Sequence, residues 1–135
     1  MAKVNLIIEK GDDGKFWGRV NYRNNLIVEV ASSIEILDRK MRKIIKDFHD
    51  REVELEHSYD VVSFFENFDF LNQSRIAELS GIGSSLLKQY GSGERYPSEQ
   101  QVKKIESAIH KLAKELKSIS LFAWNGKSNK SWKKF

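Results

Sequence analysis

Along residues 1–31 the apolar positions recur at every second residue, and at 33 the spacing changes to that of a helix. Val4, Leu6 and Ile8 alternate with polar neighbours, and "GDDG" at 11–14 supplies turn chemistry. Phe16, Gly18, Val20 and Tyr22 form the next alternating set, with Trp17, Arg19 and Asn21 opposite. "RNN" at 23–25 reads as a second turn, and Leu26, Val28 and Val30 as the inward set of a third strand. The pattern predicts a three-stranded antiparallel meander with one half-buried face.

Ser32 or Ser33 can then cap a helix with Glu35 in its first turn. Ile34, Leu37, Met41, Ile44, Ile45 and Phe48 fall on one helical stripe, which predicts an amphipathic helix across the open face of the sheet. "REVELEH" at 51–57 returns to alternation, with Val53 and Leu55 inward and Glu52, Glu54 and Glu56 outward. That fourth strand closes a β-β-β-α-β unit over residues 1–57. From Tyr59 the chain reads as helices, with Asp60 capping Val61, Phe64, Phe65 and Phe68. Asn72 or Gln73 opens a short helix ending at Ser80, and another runs from Ser84 to Tyr90. Ser98, after the single proline, caps a long helix whose core stripe is Val102, Ile105, Ile109, Leu112 and Leu116. "SISLF" at 118–122 carries the pattern of a last short strand, and the basic tail to residue 135 is expected to be poorly ordered. The expected fold class is therefore α+β: a small antiparallel sheet with one covering helix, then an all-α domain over 58–117.

Composition narrows the function classes. With 40% hydrophobic and 31% charged residues the chain has the balance of a soluble globular protein, and 135 residues suffice for one ordinary domain or two small ones. No apolar run approaches the roughly 20 residues of a membrane span. The opening residues meet Glu9 and Asp12 too early for a secretory signal, so a cytoplasmic location is expected. The absence of cysteine excludes disulfides, thiolate chemistry and zinc–cysteine sites. Charge is uneven: residues 1–71 carry 11 basic and 14 acidic side chains, whereas 72–120 carry 8 and 5. An acidic front and a basic back suggest two surfaces with different partners.

Residues 75–98, "RIAELSGIGSSLLKQYGSGERYPS", satisfy a set of packing constraints. Two short helices crossing steeply need a small residue at the crossing, a left-handed glycine at the turn, and apolar residues on the inner face of the second helix. Ala77, Gly81, Ile82, Leu87 and Tyr90 fill those positions, and Ile76 and Leu79 complete the first helix. Ser84, Ser85, Lys88 and Gln89 then face outward, the short or bidentate groups that reading base edges requires. Asn72 and Gln73 can meet a phosphate at the start of the first helix, and Arg95 and Tyr96 can hold the backbone from the following loop. Double-stranded DNA is the expected partner.

With these residues in place, 72–116 resembles the helix-turn-helix of the XRE/Cro class of phage repressors, including the Gly93 and Pro97-Ser98 landmarks. It departs from that class at Gly83, where the family carries a Ser or Thr cap, and at Glu94, where a cation is usual. The β-β-β-α-β unit ahead of it is similar to the HicB family of antitoxins, and "YDVVSFFENFDFLNQSRIAELSGI" looks like the joint of that composite architecture. The family's usual front-domain signatures are absent, with "VASSIEILDRK" in their place, so that resemblance rests on topology. It implies a partial RNase H-like front domain that neutralises a small basic RNase toxin, and repression of the chain's own operon by a homodimer on a two-fold operator. The alternative is a stand-alone regulator whose front domain senses a ligand or dimerises.

Candidate partner contacts in the front half are Trp17, Arg19 and the strip Glu52, Glu54 and Glu56, which suits a basic protein. The same strip also reads as charge that discourages edge-to-edge strand pairing. Catalysis is not expected: Asp12 and Asp13 have a backbone reason to sit in a turn, and no second acidic motif faces them. His49, His57 and His110 lack ligand-like spacing and read as surface or boundary residues, so neither a metal nor another cofactor is expected.

Overall fold

The computed structural model describes residues 1–126. Strands β1 (Ala2–Lys10), β2 (Phe16–Tyr22) and β3 (Asn25–Ala31) lead into helix α1 (Ile34–His49) and strand β4 (Val53–Tyr59). Helices α2 (Val61–Asn67), α3 (Gln73–Ser80), α4 (Ser84–Ser92) and α5 (Glu99–Lys117) follow, so the fold is α+β. The sheet order is β3-β2-β1-β4.

The sheet is mixed, not wholly antiparallel. β1 pairs antiparallel to β2, as β2 does to β3, but β4 runs parallel to β1 with Val4 opposite Leu55 and Ile8 opposite Tyr59. The cause is the α1 crossover: a helix between β3 and β4 returns the chain to the same end of the sheet, so β4 shares the direction of β3 and β1. β4 itself spans 53–59, two residues later than the alternation at 51–57 suggests. His57 therefore lies inside a strand, on the helix-covered face.

β3 also differs from the expected alternation. Tyr22 pairs with Asn25 across a two-residue turn in which Arg23 (φ 50°) and Asn24 (φ 64°) are both left-handed. Such a turn matches the twist of the hairpin and sets its register. Asn25 is thereby the first residue of β3, and Val20 faces Ile27. Ile27 and Ala31 meet the core, while Leu26 and Val28 stand on the uncovered face with Trp17 and Arg19. A one-residue change of register reverses every side chain of a strand.

One apolar cluster joins Leu6, Ile8, Phe16, Val20, Ala31 and Val53 of the sheet to Ile34, Leu37, Met41 and Ile45 of α1. Ser33 caps α1 through Ile36 N, and Gly18 lets the helix approach the sheet: a Cβ there would stand 2.9 Å from both Leu37 Cδ2 and Leu6 Cδ1. Phe48 does not join this core; it lies in the last turn of α1, beside the β3 edge, and is exposed.

The second cluster comprises Phe65, Ile76, Ala77, Ile82, Leu87, Tyr90, Ile105 and Ala108. In α5 the middle of the expected stripe is covered, with Ile105 in the core and Ile109 and Leu112 packed against it, whereas Val102 and Leu116, at its two ends, are exposed. Residues 118–122 form no strand: Ser118 is the C-cap of α5, and Ile119, Leu121 and Phe122 meet solvent. α2 ties the two clusters together. The backbone of Asp60 donates to Ile8 O (3.1 Å), the buried Ser63 hydroxyl reaches the same carbonyl, and Lys10 pairs with Glu66 at 2.5 Å.

Candidate nucleic-acid interface

The candidate surface is built on α3, α4 and the loop to α5. Asn72 caps α3 by accepting from Arg75 N at 3.2 Å, and Gly81 (φ 73°) ends it in the left-handed conformation. Ser80 then closes the turn, its hydroxyl donating to Ala77 O (3.0 Å) and accepting from Ile82 N (3.2 Å). Ile82 is driven into the core, which fixes the entry into α4. Gly83 starts α4 without a side-chain cap, so the first amides of that helix have no protein side chain to accept from them at the cap. Gly93 (φ 84°) ends α4, Arg95 N donates to Gln89 O (3.3 Å), and Ser98 caps α5 through Gln101 N.

Leu87 and Tyr90 point inward from α4. Ser84, Ser85 and Lys88 are exposed on its outer side, with Gln89 half-buried beside them. Arg95 and Tyr96 are exposed in the loop that follows. Gln73 is exposed at the start of α3, and its amide lies over Gly91, where a Cβ would stand 3.4 Å from Nε2. The fold thus gathers Gln73 with the C-terminal half of α4, while Asn72 spends its carbonyl oxygen on the cap. Arg75, the cation of α3, is not free: it pairs with Glu115 (3.2 Å) and Glu78 (3.3 Å), and those carboxylates, Glu115 foremost, hold its guanidinium above the usual range.

Compared with family models, curated proteins and solved structures, the chain has no significant match. The chemistry of the surface therefore rests on its own residues.

The front-half candidates are divided by the fold. Trp17 and Arg19 share the uncovered sheet face with Glu54 and Glu56, but Glu52 precedes β4 and lines a cleft with Arg39, Arg42 and Lys46. The three glutamates are not one strip. Arg19 is bound to Glu9 at 2.5 Å, and Glu56 lies 3.7 Å from Lys3. The Trp17 indole donates to Asp13 Oδ1 (3.2 Å) and stands over Gly11. The Lys15 amide, then this indole, hold the exposed Asp13 carboxyl below its usual range. Glu9, Lys10, Asp12, Asp13 and Trp17 line a shallow hollow of about 400 Å³ in which carboxylates outnumber the one cation.

Alternation alone did not disclose the contact made by His57. Its Nε2 lies 2.6 Å from Asp38 Oδ2, and its Nδ1 lies 3.3 Å from the Tyr59 hydroxyl. The signal was available as Asp38 on the flank of α1 and His57 on the inward parity of β4, but only with the strand boundary in hand. No helix among the described residues is long and apolar enough to cross a membrane. Among those residues no group of three His, Asp or Glu side chains stands close enough to hold a metal ion.

Proposed function

We propose that this chain is a sequence-specific DNA-binding repressor in the manner of a HicB-like antitoxin, with α3 and α4 as a helix-turn-helix behind a partial RNase H-like front domain. The observation that carries the reading is the outward, uncommitted set Ser84, Ser85, Lys88 and Gln89 on a helix whose opposite side is locked into the core by Leu87 and Tyr90. Gln89 offers the paired donor and acceptor that an adenine edge takes, and Lys88 a cation for guanine or phosphate. Gln73, the open amides after Gly83, and Arg95 flank them as backbone contacts. One such helix reads few bases, so the chain acts as a homodimer on a two-fold operator, by default that of its own operon.

The front domain's role follows from its charge. The hollow at Asp12, Asp13 and Glu9, with the half-exposed Trp17 at its rim, suits a small basic RNase toxin; an indole supplies contact area and the carboxylates supply steering. The chain itself carries no catalytic step in this reading.

Binding of the purified chain to duplexes tiled across its own promoter, followed by fluorescence anisotropy at several salt concentrations, tests the core of the proposal. A tight site whose affinity falls steeply with salt is expected. Equal, weak binding to every duplex would reject it. Co-purification from nuclease-treated host extract tests the toxin, which is expected as a small basic protein in equal amount.

A further inference from the structure

β3 is an edge strand whose uncovered side is apolar and whose other side sets Ile27 between Asn25 and Glu29. Leu26 and Val28 are 67% and 49% exposed on the uncovered face. On the other side Ile27, Ile44 and the 80% exposed Phe48 border a groove of about 520 Å³ that runs along the strand from Asn25 to Glu29. Lys40 donates to Val30 O at 3.0 Å and so closes one end of this edge, leaving 25–29 open. An open edge that carries exposed apolar side chains is a template for another strand.

The same chain presents an unplaced strand. Residues 119–124, Ile-Ser-Leu-Phe-Ala-Trp, take no helix or strand, and Leu121 (93%), Phe122 (85%) and Trp124 (59%) are exposed. In extended form Ile119, Leu121 and Ala123 face one way and Ser120, Phe122 and Trp124 the other, so each face of the segment offers large apolar side chains to Leu26 and Val28 on one side of β3 and to Ile27, Ile44 and Phe48 on the other. We propose that residues 119–124 of one copy add as a strand to the β3 edge of a second copy, reciprocally, making the chain a strand-exchanged homodimer.

A second copy is required by reach. α5 lies on the β4 side, where Val102, Glu106, Ile109 and His110 face His57 to Tyr59, and its far end is held to α3 by Arg75 and Glu115. β3 is the opposite edge, three strand spacings or about 14 Å away. Crossing that width would consume about four residues of a six-residue segment, which spans about 20 Å at most. Reciprocal exchange closes with two-fold symmetry and leaves no copy unsatisfied. The area fits as well. Taking roughly 180 Å² for each large apolar side chain, the exposed fractions of Leu26, Val28, Phe48, Leu121, Phe122 and Trp124 offer at most about 800 Å² per copy. That is the share each partner contributes to a standard stable interface, about 800 Å².

The inference does not depend on DNA binding, and neither does its test. The chain has no cysteine, so Asn25→Cys and Ser120→Cys place single thiols on the groove and on the segment. The two full-length variants are mixed and treated with a short bismaleimide. A cross-linked species of twice the chain mass is expected in the mixture, at several times the yield of either variant alone. Adding Leu121→Asp and Phe122→Asp to the Ser120→Cys chain is expected to abolish it and to give a monomer by light scattering. Both residues are solvent-facing, so an unchanged circular dichroism spectrum verifies the fold; Phe48→Asp attacks the same contact from the groove. Efficient cross-linking of Asn25→Cys alone would mean β3 pairs with β3 and would overturn the exchange. So would a monomeric parent chain, or a dimer that survives the aspartates.

Discussion

Asp38 and His57 face each other at 2.6 Å, one on the covering helix and the other on the edge strand β4. Asp38 also receives Arg42 at 2.6 Å, so a single carboxylate, mostly shielded from solvent, clasps α1 to β4 and steadies its own helix turn. Asp38→Ala is expected to cost roughly 1–3 kcal/mol, the range for hydrogen bonds to charged groups. Urea unfolding with an unchanged slope would report it. A loss within error would show that the pair is no more than a surface contact.

Tyr59 continues this contact, with its hydroxyl 3.3 Å from His57 Nδ1. Burial, and then the Asp38 charge, raise its phenol above the ordinary 10.0. A raised folded value means the neutral phenol contributes stability that is fully present below pH 10 and is lost as pH rises through the folded value. Tyr59→Phe is expected to flatten the alkaline limb of the stability curve and to remove a raised phenol from the ultraviolet titration. An alkaline limb identical in both proteins would contradict this.

The turn between β2 and β3 holds two non-glycine residues at positive φ, Arg23 and Asn24. Asn tolerates this conformation, whereas a β-branched side chain does not. Asn24→Val is expected to lower stability by about 1–2 kcal/mol, while Asn24→Gly is neutral or better. Thermal unfolding distinguishes the two.

Gly18 faces both Leu37 and Leu6 at a distance no Cβ can take. Gly18→Ala is expected to push α1 off the sheet and to cost about 1–3 kcal/mol as overpacking. Gly83 has open space around it and an ordinary negative φ, so Gly83→Ser is expected to gain a cap and about 0.5 kcal/mol. If the first change proves silent, the close approach of helix and sheet is not what the glycine serves.

On DNA, Gln89→Ala is expected to weaken the best promoter site by about 1–3 kcal/mol while leaving random duplex unchanged. Lys88→Ala is expected to reduce the salt slope by about one if it meets phosphate. Equal losses on both DNAs for Gln89→Ala would remove it from base reading.

Up to the end of α5 element type was legible because the code for it is local; 118–122, patterned as a strand, form none. The change from alternation at Val4–Ile8 to helical spacing at Ile34–Ile45, a cap at Ser32 or Ser33 and another at Asn72 or Gln73, which the structure assigns to Ser33 and Asn72, the Asp60 and Ser98 caps, and the left-handed Gly81 all act within a few residues of themselves. The inner face of α4 was legible for the same reason, since Leu87 and Tyr90 occupy one stripe of a short helix.

What only the tertiary structure decided is how those elements face one another. Leu26, Val28 and Val30 are the more apolar alternating set, since Glu29 interrupts Ile27 and Ala31; the two-residue turn at Arg23 and Asn24 and the pairing with β2 nonetheless turn Ile27 and Ala31 to the core. The parallel direction of β4 depends on where the α1 crossover lands, and the meeting of Asp38 with His57 depends on that in turn. Phe48, Val102 and Leu116 lie on apolar stripes yet are exposed, because a stripe states which side of a helix wants cover and not how far the neighbouring element extends. The sequence by itself determined the elements, their caps and the polar outer side of α4; register, strand direction and the uncovered β3 edge arise from contacts between residues far apart in the chain, which local spacing does not encode.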